Sequence, residues 1–247
     1  VIDAGKIPES TPNWWRLILR GKIKSKGKKI AGERVGTAKR VLAADEVGQL
    51  IRWLPNFTQL LEDALTLYLW TCTRGAEILG MEGREVQREG DGILWWTIPK
   101  AKTKNARIEN ATDLRVPLCG RARSVVLRRK ERYGDGLLFP AKTRDGKIRP
   151  VEQKTIQATV YYHQPYSETR PDDFRPRLTV SRWAPHDLRR TSRTLLAAMG
   201  CPDAVGESLL GHVLPGVMGV YNKHTYDTER LEWLKRLSDR LEALAAL

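Results

Sequence analysis

The spacing of apolar residues predicts helices over most of the chain. From Ala43, apolar side chains recur at helical intervals until Pro55 ends the run. A second, almost wholly apolar helix follows and leads directly into Thr73. Further helices are predicted over 121–132 and 152–162, from His186, around Val205 to Leu210, and from about Asp227.

Two apolar segments are typical of strands rather than helices. Residues 93–98 (ILWWTI) are rich in β-branched and aromatic side chains, and residues 114–118 (LRVPL) form a second apolar run. The lysine-rich stretch 100–110 between them is predicted to be the connection of an antiparallel pair. The fold class is therefore mainly α with a small antiparallel β-sheet (α+β).

Charge changes this picture at the N-terminus. The formal net charge is +14, and residues 1–40 hold 11 Lys/Arg against 3 Asp/Glu. Such an excess points to a polyanionic partner, nucleic acid being the commonest, although a merely basic protein would show it too. The run 21–29 (GKIKSKGKK) is predicted to be loop or linker. We expect residues 1–39 to be one unit and residues 40–247 to be the main domain.

Cysteines and long apolar runs indicate little chemistry of their own. Cys72, Cys119 and Cys201 are far apart and form no CxxC pair, so the sequence predicts neither a zinc site nor a disulfide framework. No apolar stretch is long enough to span a membrane, and no signal-peptide pattern is present. A reduced, cytosolic setting is expected.

Three short motifs carry the candidate chemistry. The first, Thr73-Arg74-Gly75, follows a hydrophobic helix, and taken alone Arg74 could equally form a surface ion pair with Glu77. In the second, His186 and Arg189 are three residues apart and share a helix face, although such a pair is uninformative by itself. The third is Leu209-Leu210-Gly211-His212, followed nine residues later by Tyr221. Transferring a phosphodiester without metal requires a nucleophile, cations for the phosphate oxygens and an acid, and these motifs supply such groups.

In this order and spacing, the motifs resemble those of the tyrosine recombinase, or phage integrase, family. The resemblance covers about residues 40–225 and includes the 23-residue interval from Arg189 to His212. The phrases LLGHVLPGVMGVYNKH and WTIPKAKTKN are most similar to integrases of prophages, satellite phages and genomic islands. The resemblance implies the tyrosine recombinase catalytic-domain fold over residues 40–247. It makes residues 1–39 the tail of a truncated core-binding domain plus a basic linker.

The resemblance also implies a role for each motif residue. Arg74 and Arg189 would clamp the non-bridging oxygens of the scissile phosphate, and His212 would add a hydrogen bond to it. His186 would accept the tyrosine proton or support the phosphate. Tyr221 would attack phosphorus, leaving a 3′-phosphotyrosyl bond and a free 5′-hydroxyl, with no metal, cofactor or ATP required.

A lysine in the turn between two strands is implied as the general acid for the leaving 5′-oxygen. The phrase ending in TKN favours Lys104, with Lys102 as runner-up, and Lys100 and Lys102 are otherwise expected to contact DNA. Arg190 is a further expected DNA contact. Glu77 matches the acidic position after the first arginine, where it would orient Arg74 or His186.

The partners implied are double-stranded DNA attachment sites, a homotetramer formed on DNA, and accessory DNA-bending or directionality proteins. No membrane is involved, and the setting is the cytoplasm of a bacterial host, at the nucleoid when the protein is bound. The final helix has leucines spaced by 3, 4 and 3 residues (Leu234, Leu237, Leu241, Leu244), a seam suited either to packing on its own domain or to docking in trans. We expect docking in trans.

Two other functions compete with recombination. A type IB topoisomerase-like enzyme would use the same chemistry to relax supercoils, but His186 in the HxxR motif and the phage-like phrases favour recombination. A non-catalytic DNA-binding module could keep the motifs as a relic of the fold. All six expected catalytic positions hold competent residues, which argues against the relic.

Overall fold

The computed structural model describes residues 40–90, 92–109, 111–143, 145–168, 176–212 and 224–247, together with the backbone of 28–30 and 33–35. The chain divides into two compact units, residues 1–39 and 40–247. In the first, β1 (Lys28–Ile30) pairs antiparallel with β2 (Glu33–Val35). The expectation of a loop over 21–29 is wrong for Lys28 and Lys29, because a lysine-rich ribbon has no apolar alternation to reveal it. That this unit is the tail of another domain stays a prediction.

Helices dominate the second unit, as the apolar spacing predicts. Its described residues form eight α-helices: α1 (Ala44–Trp53), α2 (Gln59–Thr71), α3 (Gly75–Leu79), α4 (Gly120–Tyr133), α5 (Gln153–His163), α6 (Pro185–Ala198), α7 (Asp203–Leu209) and α8 (Asp227–Ala246). Short 3₁₀ turns occupy Leu54–Asn56, Gly83–Glu85 and Lys100–Lys102. Each predicted helix is confirmed to within a few residues of its expected bounds.

A three-stranded antiparallel sheet and a separate hairpin complete the unit. The strands are β3 (Val86–Arg88), β4 (Leu94–Ile98) and β5 (Leu114–Pro117), in that order, and β6 (Pro140–Lys142) pairs with β7 (Ile148–Pro150). In the sheet, Trp96 lies opposite Val86 on one side and Val116 on the other. The predicted fold class is confirmed. The sequence pattern misses β3, β6 and β7, because three residues are too few to show a period of two.

Helix α2 forms the centre of the core. Its side chains are buried on every face from Ala64 to Thr71, which is the pattern of a helix surrounded by other elements. It packs against α4, α6 and α8. Because α2 is held on all sides, the corner that follows its last residue is fixed relative to α6.

The leucine seam of α8 is covered by its own domain. Leu234, Leu237 and Leu241 are fully buried, and α8 packs most extensively against α1. Of the two alternatives, the structure therefore shows packing in cis, and docking in trans through the same leucines would require α8 to leave this position. Among the residues that the structure describes, no helix is both long and apolar enough to cross a bilayer.

Candidate active site

The corner after α2 presents Arg74. Cys72 takes a left-handed conformation (φ 56°) and ends α2, and Arg74 begins α3 as its N-cap. The Arg74 backbone N–H donates to Glu77 Oε2 (2.7 Å), and its guanidinium Nη1 donates to Glu77 Oε1 (2.9 Å). The Glu77 side chain is only 1% exposed, against 18% for Arg74. The ion pair is therefore anchored by a buried carboxylate, while the arginine side chain remains partly exposed.

Helix α6 begins at the second motif and buries Arg189. Pro185 occupies the first turn, and Asp187 caps the helix by accepting the Ala184 backbone N–H at 2.9 Å. The guanidinium of Arg189 donates to the backbone carbonyls of Cys72 and, at 2.6 Å, Leu210. These carbonyls precede the Arg74 corner and the Gly211-His212 motif. One buried side chain thus joins all three motifs.

Gly211 allows the third motif to lie against the sheet. Its φ is +59°, and a Cβ built on it would lie 2.7 Å from Leu114 Cδ2, so only glycine fits without strain. The next residue, His212, places Nδ1 at 2.5 Å from Glu207 Oε2. A carboxylate on Nδ1 fixes the orientation of the ring and favours a proton on that nitrogen.

Electrostatic coupling shows that the motif cations share one region. Burial and, after it, the nearby charge of Arg74 lower the pKa of Arg189 to about 10, while Glu77 and Glu207 oppose the change. Burial also lowers the pKa of His186, with Arg190, Arg189 and Arg74 adding to the effect. The site is therefore a crowded positive pocket in which an anion would relieve repulsion.

The three candidate lysines have different surroundings. Lys102 Nζ is held by Glu82 Oε1 (2.6 Å), by Glu85 and by the Gly80 carbonyl (3.0 Å). Lys100 Nζ donates to the Glu109 carbonyl at 2.9 Å. Lys104 is exposed at the turn. Lys102 is thus held by the Gly80–Glu85 segment, whereas Lys100 is held by a carbonyl of its own loop.

Asn105, next to Lys104, ties the lysine-bearing turn to the third motif. Its Nδ2 donates to the Gly211 carbonyl at 2.8 Å, across 106 positions of sequence. The turn itself is stabilised by Thr103, whose hydroxyl donates to the Lys100 carbonyl and accepts the Asn105 backbone N–H. The structure therefore places the turn that carries Lys104 next to the Gly211-His212 motif.

Some of the expected site residues lie outside the described residues or have other contacts. Tyr221, the expected nucleophile, lies outside the described residues. Arg190 pairs with Asp187 and is one-third exposed, and its contact with DNA stays a prediction. Tyr226, expected to be structural, is the N-cap residue of α8 in a left-handed conformation (φ 58°) and packs edge-on against His224.

Sequence reasoning missed three residues that shape this site. Glu207 holds His212, Asn105 holds Gly211, and Tyr68 places its hydroxyl against Gly75 beside Arg74. Burial raises the pKa of Tyr68 to about 12, so this phenol stays neutral. Only Asn105 gave a signal, as the last residue of TKN, because the other two contacts depend on packing between distant elements.

Comparison with known proteins identifies the fold. No family model and no curated protein sequence matches the chain. Among solved structures, the integrase from mycobacterium phage Brujita is similar at a TM-score of 0.55 and 17% identity, over 95% of this chain and 74% of that one. The Tn1549 transposon integrase, solved in complex with transposon right end DNA, is similar at a TM-score of 0.50 and 17% identity, over 83% of this chain and 68% of that one. The chain therefore has the integrase catalytic-domain fold of the tyrosine recombinases.

Proposed function

We propose that this protein is a tyrosine-type site-specific DNA recombinase, an integrase. One observation carries the proposal: the buried guanidinium of Arg189 joins the Arg74 corner, the His186 helix and the Gly211-His212 motif. Burying a cation costs solvation free energy. Such a cost is expected at a site that must bind an anion. The similarity of fold to phage and transposon integrases supports the same reaction class.

The proposed reaction exchanges one phosphodiester for another. The phenolic oxygen of Tyr221 forms a bond to phosphorus while the bond from phosphorus to the 5′-oxygen breaks. The phenol, with an ordinary pKa of about 10, gives its proton to a base, for which His186 is well suited because its lowered pKa keeps it neutral. Arg74, Arg189 and His212 stabilise the charge on the non-bridging oxygens. A partner strand's 5′-hydroxyl then reverses the attack and releases Tyr221, so neither metal nor ATP is consumed.

Covalent trapping tests this function. A nicked duplex taken from the DNA flanking the gene loses its short 5′-hydroxyl fragment after cleavage, which prevents religation and leaves a protein–DNA adduct. Tyr221→Phe should abolish the adduct while DNA binding persists, and Tyr226→Phe, the matched control, should keep it. An adduct that survives Tyr221→Phe contradicts the assignment of the nucleophile. Relaxation of plasmids lacking the site would instead indicate a topoisomerase.

Lys104 is proposed as the general acid, because Lys102 is held by two carboxylates and the Gly80 carbonyl. A DNA carrying sulfur in place of the bridging 5′-oxygen releases a thiolate, which needs no proton. Lys104→Met should cleave ordinary DNA poorly and the sulfur-containing DNA at nearly the wild-type rate. Lys102→Met is the matched control. If Lys102→Met is the variant rescued by sulfur while Lys104→Met cleaves both substrates normally, the two assignments are reversed.

The partners and setting follow from the same proposal. Double-stranded DNA is the substrate, and recombination of two sites requires four protomers, each cleaving one strand. The Tn1549 integrase was solved bound to DNA. Accessory DNA-bending or directionality proteins and action in the cytoplasm of a bacterial host belong to the same proposal.

A further inference from the structure

The β6–β7 hairpin is a basic ribbon that the proposed catalytic site leaves unused. Residues 141–150 contain four basic side chains and one acidic side chain. In the described part of the hairpin, Lys142, Lys147, Ile148 and Arg149 are all exposed. These side chains therefore do not contribute to the core.

The tip of the hairpin is a formed turn. The Thr143 backbone N–H donates to the Lys147 carbonyl at 2.9 Å, and the Gly146 backbone N–H donates to the Thr143 carbonyl at 3.0 Å. Gly146 takes a φ of +79°, which glycine adopts without strain. The Thr143 hydroxyl also donates to the Lys147 carbonyl at 2.9 Å. A ribbon closed in this way loses little backbone freedom on binding.

The base of the hairpin lies beside the Arg74 corner. The Val151 backbone N–H donates to the Phe139 carbonyl at 3.0 Å and closes the base. Two residues later α5 begins with Gln153, whose side-chain carbon lies 3.4 Å from the position of a Cβ on Gly75. At about 3.3 Å per residue, the tip is roughly 10–15 Å from this base. A duplex whose reacting phosphate sits at Arg74 therefore has flanking base pairs within reach of the ribbon.

The ribbon combines charge with one exposed apolar side chain. Lys142 lies directly opposite Ile148, so the two share a face, while Arg149 is paired with Ala141. Ile148 is 69% exposed, more than any other large apolar residue in the described part except the terminal Leu247. A two-stranded ribbon fits the major groove of B-DNA, which is about 12 Å wide.

We propose that the β6–β7 hairpin is a second DNA-contacting element, which holds the duplex that flanks the cut phosphate. Lys142, Lys147 and Arg149 contact phosphates, and Ile148 packs against sugars or base edges. This inference rests on the proposed function, since it takes DNA as the partner.

The salt dependence of binding tests the ribbon. The probe is a labelled duplex of mixed sequence, titrated with the whole chain at several salt concentrations. The triple variant Lys142→Gln/Lys147→Gln/Arg149→Gln should bind more weakly, and the slope of log affinity against log salt should become shallower by roughly two to three. An unchanged slope overturns the proposal.

A charge-matched control excludes a general effect of net charge. Arg123→Gln/Lys235→Gln/Arg240→Gln removes three exposed positive charges from α4 and α8. This control should keep the wild-type slope. If it loses as much slope as the hairpin variant, the attraction belongs to the whole molecule. Loss of binding to anionic lipid vesicles but not to the duplex would assign the ribbon to a membrane surface and overturn the DNA assignment.

Ile148→Ser separates apolar contact from charge. This variant should weaken duplex binding several-fold with the salt slope unchanged, because no phosphate contact is lost. Wild-type affinity in Ile148→Ser would contradict the groove contact. The readout is equilibrium binding, with every proposed catalytic residue intact. Failure of the nucleophile test would leave these results interpretable, and a failed hairpin test would leave the covalent adduct unaffected.

Discussion

At the scale of single residues, Arg189 has two tasks. It is almost wholly buried, and it satisfies the backbone carbonyls of Cys72 and Leu210. The proposed reaction also needs its charge at the phosphate. Because both carbonyls lie in the turns that present Arg74 and His212, stability and the proposed catalysis would depend on the same guanidinium.

Replacing Arg189 should therefore reduce stability as well as activity. Arg189→Met leaves two buried carbonyls unpaired and should lower the free energy of unfolding by about 2–4 kcal/mol, measured by urea denaturation. Arg190→Met, at the neighbouring position that is one-third exposed, should change it by less than about 1 kcal/mol. Equal losses in the two variants would show that the carbonyl contacts are energetically unimportant.

The titration of His186 reports on the positive pocket. Its lowered pKa means that the unfolded chain binds this proton more readily than the folded chain. Its contribution to stability is thus present above the ordinary pKa of about 6.5 and is lost as pH falls toward the folded pKa. An NMR titration should place the imidazole pKa below the ordinary value, and Arg190→Gln should raise it by removing a neighbouring positive charge. No change in Arg190→Gln would contradict the coupling.

At the scale of elements, the junction between α7 and the sheet depends on a glycine. Gly211 combines a positive φ with close contact to Leu114, whereas Gly200 has a positive φ (+86°) with nothing within 4 Å of a built Cβ. Asn105 then fastens the lysine-bearing turn to the Gly211 carbonyl. The approach of α7 to β5 therefore decides where both His212 and Lys104 lie.

Comparing two glycine variants isolates this contact. Gly200→Ala should lower the free energy of unfolding by about 1 kcal/mol, because only its backbone conformation is unfavourable for alanine. Gly211→Ala should lower it by about 1–3 kcal/mol more, because the added methyl group meets Leu114. Thermal and urea denaturation measure both variants. Equal losses would mean that the contact with Leu114 relaxes without strain.

At the scale of the whole molecule, α8 completes the core. Its leucine seam is buried against α1 and neighbouring elements, and Ser238 accepts a hydrogen bond from the Trp70 indole at 3.1 Å. Removing residues 232–247 would expose the apolar surface of α1 and α2. We therefore expect the truncated chain to unfold rather than to lose assembly selectively.

Point variants test the packing of α8 without truncation. Leu237→Ala should lower the free energy of unfolding by about 2–5 kcal/mol. Lys235→Ala, on the exposed face of the same helix, should change it by less than about 0.5 kcal/mol. Denaturation monitored by tryptophan fluorescence measures both. A small effect of Leu237→Ala would indicate that the seam is available for a partner.

Prediction from sequence succeeded where the signal was local. The apolar spacing predicted α1 and α8, and the β-branched and aromatic run predicted β4. Each pattern reflects burial of one element against its neighbours, so it can be recognised without knowing the tertiary contacts. The β6–β7 hairpin gave no such signal, because its strands are three residues long and its side chains are exposed. The pairing of Lys102 with Glu82 and Glu85 also gave no sequence signal, since it joins two segments about 20 positions apart.

The sequence by itself determined the fold class and the candidate reactive residues, because motif order and spacing are properties of the chain. It left open which lysine is the general acid, and whether α8 packs on its own domain or docks in trans. The tertiary structure decided the packing of α8 and the engagement of Lys102, and it showed Arg189 joining three motifs that are far apart in the chain. The physical reason is that buried hydrogen bonds and core contacts are made between distant segments, which have no fixed interval in sequence.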